Sequence, residues 1–206
     1  MKLDIGIDLA RPHPGACVYP CAEVVNQRRE WTCRQSQQQR HLTSVALAMA
    51  TSSTEAKAKY VLDHLIEHVA PQMEFGNQAL SAFTSDMTIT AMGTIADAAV
   101  AWTDGRQVRL VFCGKQRTVL LCQGHAKRLP PPEEHHPRWF EVLMEPGDWF
   151  IMAVPATDTA LPLGSILQMA NQGMDAMAVC RAATAQAAQA DPFNHHAVLA
   201  MHRLPA

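Results

Sequence analysis

The pair Asp104-Gly105 stands between two apolar segments, and this feature limits the possible folds of the chain more strongly than any other. Residues 91–103 precede the pair and residues 107–113 follow it. Asp-Gly suits the tight turns whose twist matches two antiparallel strands, so the sequence predicts a β-hairpin here. A second turn at 114–117 leads into another apolar segment, 118–122. We therefore predict that the middle third of the chain is an antiparallel meander.

Other parts of the chain also have strand patterns. Residues 3–9 alternate between apolar side chains and polar residues or glycine, which is the period of a half-buried strand. Residues 43–50 are uncharged and mostly apolar, as in a strand buried on both faces. Residues 139–143 and 149–154 flank a turn at 145–148, which predicts one more hairpin. The remaining strands are predicted at 16–25 and 196–204.

The clearest helix is predicted to begin at Ser53 or Thr54 and to end at Pro71, because apolar residues recur there at helical spacing. Residues 74–90 are interpreted as a connection or a short helix, and the Ala-rich residues 165–190 as a helical tail. Two polar segments, 26–40 and 123–138, are interpreted as exposed connections. This order of elements favours an α+β fold in which helices cover an antiparallel sheet or sandwich, formed by residues 1–206 as a single domain.

Composition excludes several classes of partner. The chain has 17 Lys and Arg residues against 19 Asp and Glu residues, so its net charge is 17 − 19 = −2. No basic field attracts nucleic acid or anionic lipid, and no apolar run approaches the roughly 20 residues of a membrane-spanning helix. Asp4 and Asp8 stand where a signal peptide would keep a hydrophobic run, so we expect a cytoplasmic protein with six free cysteines.

Four segments, in order along the chain, resemble motifs of the metal-dependent Ser/Thr protein phosphatases of the PPM (type 2C) family. Residues 45–50 are similar to that family's V-A-D-G-M-G strand, and residues 93–95 with Asp104-Gly105 are similar to its G-T/S-T strand and D-G hairpin. Residues 112–117 stand where the family has N-x-G-D-S-R, and residues 146–153 resemble the G-D strand before S-D-G-L. Weaker matches are 193–199 to D-N-x-T and 26–28 to N-Q/E-D.

The resemblance implies both a fold and a chemistry. The implied fold is an α-β-β-α sandwich, in which two antiparallel sheets pack face to face between layers of helices. The implied chemistry is phosphate-ester hydrolysis by a water that bridges two Mg²⁺ or Mn²⁺ ions, which Asp carboxylates and a glycine carbonyl hold.

The carboxylates that the resemblance requires are missing from this chain. The matching positions are occupied by Arg28, Leu47, Ala48, Pro155 and Phe193. Hydrocarbon side chains cannot coordinate Mg²⁺, and a guanidinium repels it. We therefore expect a pseudophosphatase that binds no metal cofactor and is not an enzyme, with Leu47, Ala48, Pro155 and Phe193 converging into an apolar plug.

Two other functions stay open at the level of the sequence. The first is a divergent active phosphatase that recruits Mg²⁺ or Mn²⁺ through other acids, namely Asp86, Asp97, Asp148 and Asp158. The second is an unrelated α+β protein of unknown role.

A pseudophosphatase is expected to act by binding a protein, and the resemblance suggests a kinase or a phosphoprotein as its partner, in a regulatory or scaffolding role. The candidate contact patch is the predicted hairpin with Trp139 and Trp149, next to His135 and His136 in the proline-rich loop.

A pair of histidines lies on the exposed side of the first predicted helix. His64 and His68 are four residues apart, a spacing that can chelate Zn²⁺ or Ni²⁺. Glu67 is beside them and is not a third ligand in register, so we interpret the pair as solvated helix residues.

Overall fold

The computed structural model describes residues 3–10, 19–32, 39–90, 95–113, 117–122, 125–128 and 138–205. The described strands are β1 Leu3–Ala10, β2 Tyr19–Thr32, β3 Gln39–Ser52, β4 Ile95–Thr103, β5 Gln107–Cys113, β6 Arg117–Cys122, β7 His125–Arg128, β8 Arg138–Leu143, β9 Trp149–Ala153 and β10 His196–Arg203. The described α-helices are α1 Glu55–His64, α2 Asn77–Thr90, α3 Pro155–Ala160, α4 Leu163–Asn171 and α5 Ala176–Ala190.

The strands form two antiparallel sheets. The first sheet has the order β1-β10-β9-β6-β7, and the second has the order β2-β3-β4-β5-β8. A core of apolar side chains from both sheets, including Leu47, Leu110, Phe150 and Leu199, lies between them. Helices α1 and α2 pack on the outer face of the second sheet, and α4 and α5 pack on the outer face of the first. The expected α-β-β-α sandwich is therefore confirmed.

The first helix begins where the sequence predicts, but it does not end at Pro71. The hydroxyl of Thr54 accepts a hydrogen bond from Lys57 N at 3.3 Å and so caps α1. The helical path then continues as a π turn, Leu65–Val69, and a 3₁₀ segment, Ala70–Phe75. Proline is tolerated at this place because it stands in the first turn of the 3₁₀ segment, where a missing N–H costs nothing.

The predicted exposed connection at 26–40 is wrong over most of its length. Asn26–Thr32 of β2 pairs with Gln39–Val45 of β3, so the two strands form one long ribbon. The pairing of β3 with β4 ends at Val45 opposite Thr103, so the ribbon extends beyond the part of β3 that pairs with β4. Ladder hydrogen bonds satisfy the backbone whatever the side chains are, which is why a polar segment can be a strand.

The predicted meander is confirmed for its first hairpin, in which β4 pairs with β5, but it is wrong for β6, and the predicted second hairpin is also wrong. β5 pairs with β8, whereas β6 lies in the other sheet between β9 and β7. β8 and β9 are therefore consecutive strands that belong to different sheets, and the turn between them crosses from one sheet to the other. In addition, β7 lies inside the segment 123–138 that the sequence suggested as a loop.

Helices α2 and α5 differ in length from the sequence prediction. The segment 74–90 contains the 14-residue helix α2. The predicted helical tail is divided into α4 and α5, because Gly173 takes a positive φ of 73° and Asp175 caps a new helix by accepting from Ala178 N at 2.7 Å.

The polar side of β1 faces helix α5. The Asp4 carboxylate accepts a hydrogen bond from Ala176 N at 2.7 Å, and the Asp8 carboxylate accepts one from the Thr184 hydroxyl. Between them, a Cβ atom on Gly6 would lie 2.3 Å from the carbonyl carbon of Ala176. Successive side chains of β1 point to opposite faces, so the apolar residues face the inter-sheet core while Asp4, Gly6 and Asp8 face α5.

Candidate functional site

Leu47 and Ala48 occupy the positions where the resemblance expects an Asp-Gly pair, and they point to opposite faces of β3. Leu47 is 1% exposed and belongs to the inter-sheet core, together with Val154 and Ala197. Ala48 is fully buried on the other face, in the cluster beneath α1. Leu47 therefore contributes to the core between the two sheets, and Ala48 contributes to the core between the second sheet and its helices.

Pro155 follows β9 and begins α3 at the end of the sandwich where β10 starts. Val154 N donates to the Ala197 carbonyl at 3.2 Å, which joins the end of β9 to the start of β10. Val154, the residue before Pro155, and Leu47 of the second sheet both belong to the core between the two sheets.

Phe193 lies in the turn before β10, near the same end, but its side chain is 75% exposed. The prediction that Phe193 fills a buried apolar plug is therefore wrong. The local hydrogen bonds explain the exposure, because the Asp191 carboxylate accepts from Phe193 N at 3.3 Å and from the Asn194 side-chain amide at 2.7 Å. These bonds fix a turn that directs the ring outward, and the bond from Asn194 is the main reason that the pKa of Asp191 is lowered.

Arg28 is not brought to this place. In the ribbon it pairs with Thr43, whereas Val24 and Glu23 are the partners of Leu47 and Ala48. Four residues separate Val24 from Arg28, which is about 13 Å along a strand. The backbone of Arg28 is therefore not beside that of Leu47, and the side chain of Arg28 lies outside the described residues.

Glu23 is an acidic residue next to these positions that the sequence analysis missed. Its carboxylate lies 3.7 Å from the Lys59 ammonium of α1, and Lys59 also donates to Asp63. The pKa of Lys59 is raised, first by the hydrogen bond to Asp63 and then by the charges of both acids. Glu23 is the register partner of Ala48, and this relationship becomes visible only when the pairing of β2 with β3 is known.

A buried polar network joins α3 to β10. The Thr157 hydroxyl accepts from Ala197 N at 3.1 Å and lies 3.3 Å from His196 Nδ1. His196 Nε2 lies 2.8 Å from the Asp191 carbonyl oxygen, which can only accept, so Nε2 carries the hydrogen. These hydrogen bonds connect α3 to the start of β10 and to the turn that contains Phe193.

Of the four acids suggested for a divergent active phosphatase, the structure describes the side chains of two, Asp148 and Asp158. The buried carboxylate of Asp148 accepts from Glu145 N at 2.8 Å and so fixes the turn between β8 and β9. Asp158 is buried in α3, and the side chains of Asp86 and Asp97 lie outside the described residues. Among the described residues, no three His, Cys, Asp or Glu side chains form a group that could hold a metal ion.

The two tryptophans of the candidate contact patch are not neighbours. Trp139, in β8, is half-buried against the cluster beneath α1 and α2. Trp149, in β9, is 5% exposed and packs beneath α4 and α5 on the opposite outer face of the sandwich. His135 and His136 lie outside the described residues. The structure therefore does not bring Trp139 and Trp149 together.

The residues present do not fit the metal pair that the resemblance implies. Mg²⁺ and Mn²⁺ take oxygen ligands, and Leu47 and Pro155, at two positions where carboxylates are expected, have side chains of carbon only. The enclosed position of Leu47 between the sheets also leaves hydrocarbon, rather than water, around it.

No family model matches the chain, and no curated protein sequence matches it. In addition, no helix among the described residues has the length and apolar character needed to cross a membrane.

Solved structures, in contrast, match over nearly the whole chain. The S. agalactiae serine/threonine phosphatase is 10% identical, with 98% of this chain and 99% of that chain covered and a TM-score of 0.67. A structure from the bacterial stressosome, a modular system that has been adapted to control secondary messenger signalling, is 16% identical. The match covers 98% of this chain and 100% of that chain, with a TM-score of 0.65. The catalytic domain of the phosphatase PstP, in complex with two manganese ions, is 13% identical, with 91% and 100% covered and a TM-score of 0.57. These likenesses show that the chain has the fold of the PPM-type Ser/Thr phosphatases.

Proposed function

We propose that this chain is a catalytically inactive PPM-type module, a pseudophosphatase, that acts by binding a protein. The observation that supports the proposal is the side chain of Leu47, which stands at the position of an expected metal-binding carboxylate and is buried in the inter-sheet core. A carboxylate there would have to be paired with a cation, whereas a leucine stabilises the same place by burial of apolar surface.

The neighbouring positions support the same proposal. Ala48 stands where a glycine backbone is expected, and its methyl group packs under α1. Pro155 has no carboxylate and no N–H, and it suits the first position of α3. Asp148 is an acid, and its buried carboxylate accepts a hydrogen bond from Glu145 N in its own turn.

The proposed partner is a protein, and a kinase or a phosphoprotein is the candidate that the shared fold suggests. Fold does not establish function, so this partner rests on analogy. The stressosome structure, with nearly full coverage of both chains, supports a regulatory setting for modules of this shape.

The catalytic part of the proposal is tested by hydrolysis of p-nitrophenyl phosphate and of a phosphoserine peptide with Mn²⁺ or Mg²⁺ at millimolar concentration. We expect no turnover above that of a heat-treated sample. Turnover that EDTA abolishes, and that follows the protein through gel filtration, would contradict the proposal and favour the divergent active phosphatase. The variant Asp158→Asn would then test one of the remaining acids.

The binding part is tested separately with purified components. Proteins that co-purify with the tagged chain are expressed alone and titrated against it by calorimetry, with phosphorylated and unphosphorylated forms compared. A kinase or phosphoprotein that binds with micromolar affinity or tighter is expected. If no such protein binds the purified chain, the proposed partner class is wrong, whatever the outcome of the phosphatase assay.

A further inference from the structure

A ladder of three rings lies along the outer side of the first helix, away from the sandwich core. The Tyr60 and His64 rings are stacked with centroids 5.8 Å apart, and the His64 and His68 rings meet edge to face with centroids 4.4 Å apart. His64 is half-buried and His68 is exposed, so one side of this imidazole pair is open to solvent.

The backbone explains why the two imidazoles lie so close. In a regular α-helix, residues four apart are separated by about 6 Å along the axis. Here the helix changes to a π turn at Leu65–Val69, in which Ala70 N donates to the Leu65 carbonyl five residues earlier. A π turn contains more residues than an α turn, so His68 lies more directly above His64. Such turns occur often at functional sites.

The charges around the pair favour a cation. The Glu67 carboxylate lies 3.9 Å from His68 Nε2, although the sequence spacing alone had placed it out of register. Asp63 of the same helix and Glu23 of β2 both contact the ammonium of Lys59. A divalent ion at His64 and His68 would therefore be next to one carboxylate that has room to approach it.

We propose that His64 and His68 form a binding site for a divalent transition-metal ion of the Zn²⁺, Ni²⁺ or Cu²⁺ class. Imidazole nitrogens are preferred ligands of these ions, whereas Mg²⁺ and Mn²⁺ prefer oxygen. Two imidazoles supply the protein ligands, Glu67 compensates charge, and water completes the coordination shell. This site lies in the helical layer outside the second sheet, and it is independent of the proposed pseudophosphatase function.

Isothermal titration calorimetry with NiCl₂ tests the site directly. The test variant exchanges both imidazoles for carboxamides, H64N with H68N, which keeps the net charge and removes both ligands of the proposed site. Loss of outer-shell groups already costs about 10–100-fold in metal affinity, so loss of a ligand should weaken Ni²⁺ binding at least about tenfold. The matched control, H135N with H136N, removes two other imidazoles and should leave the affinity within twofold.

Paramagnetic Ni²⁺ also locates the site. In amide NMR spectra we expect line broadening that is centred on residues 60–69 of the native chain and is absent from the exchanged variant. The single variants H64N and H68N check that the loss comes from the ligands, and their circular dichroism melting curves without metal should match the native curve. Native chain that binds no Ni²⁺, unchanged binding in the exchanged variant, equal loss in the control, or broadening centred elsewhere would each overturn the proposal.

Discussion

His202 lies flat against the indole of Trp149, with ring centroids 4.1 Å apart and planes 6° from parallel. The two residues are register partners on β10 and β9, and Asp4 of β1 is the next partner in the same row. Burial lowers the pKa of His202, and the charge of Asp4 opposes that shift in part.

This contact predicts a pH dependence of stability. The unfolded chain binds a proton at His202 with a pKa of about 6.5, while the folded chain binds it only at lower pH. The unfolded state therefore holds more protons in this window, so stability rises with pH there and is complete above about pH 6.5. Urea unfolding at several pH values should show a loss as the pH falls from 6.5, and the His202→Gln variant should lose less. An equal loss in both chains would contradict the prediction.

The close approach of β1 to α5 predicts a large effect of one methyl group. Gly6→Ala places a Cβ atom 2.3 Å from the Ala176 backbone, so α5 must shift. We expect a loss of about 1–3 kcal/mol in the free energy of unfolding, as for other overpacked contacts.

Gly164→Ala is the matched control for that substitution. A Cβ atom there meets nothing within 4 Å, and the residue lies in α4. The control should be neutral or stabilising, because alanine favours the helix over glycine by up to about 1 kcal/mol. If both variants lose the same stability in urea titrations, the contact between Gly6 and Ala176 is not the cause.

Leu47 stands where the family resemblance predicts a metal-binding carboxylate, and its burial can be tested by substitution. Leu47→Ala should lower the free energy of unfolding by about 2–5 kcal/mol, since it leaves a cavity in the inter-sheet core. Leu47→Asp should lower it further, because a buried carboxylate without a cation is costly. Guanidinium unfolding measures both. If Mn²⁺ restores the stability of the aspartate variant, the surrounding residues can still hold a metal.

Manganese should leave the melting temperature of the native chain unchanged. A ligand that binds only the folded state at a hundredfold excess over its Kd adds about 2.7 kcal/mol. For a domain of this size that is a rise of roughly 5–10 °C. We expect a change of less than about 1 °C in differential scanning calorimetry, because Leu47 and Pro155 offer no carboxylate to a metal ion. A rise of several degrees that Asp158→Asn abolishes would show that other acids bind the ion.

The sequence by itself determined the local elements, because each depends on residues that are near one another in the chain. Asp104-Gly105 forms its turn with Gly105 at a φ of 86°, and the Asp104 carboxylate accepts from Arg106 N at 2.9 Å. Thr54 caps the first helix, and the period of two in β1 separates its two faces. The family resemblance, together with this order of elements, was enough to predict the sandwich.

Only the tertiary structure decided which strands are neighbours and where the candidate site residues lie. Alternation of apolar and polar residues shows which side chains of a strand share a face, but it does not show which strand is the neighbour. The sequence analysis therefore assigned β6, β8 and β9 to the wrong partners. The hydrogen bonds of Asp191 hold the turn in which the Phe193 side chain is exposed. The sequence did not predict the π turn after His64, and the buried residues of that turn, Leu65 and Val69, pack with residues of the second sheet that are distant in the chain.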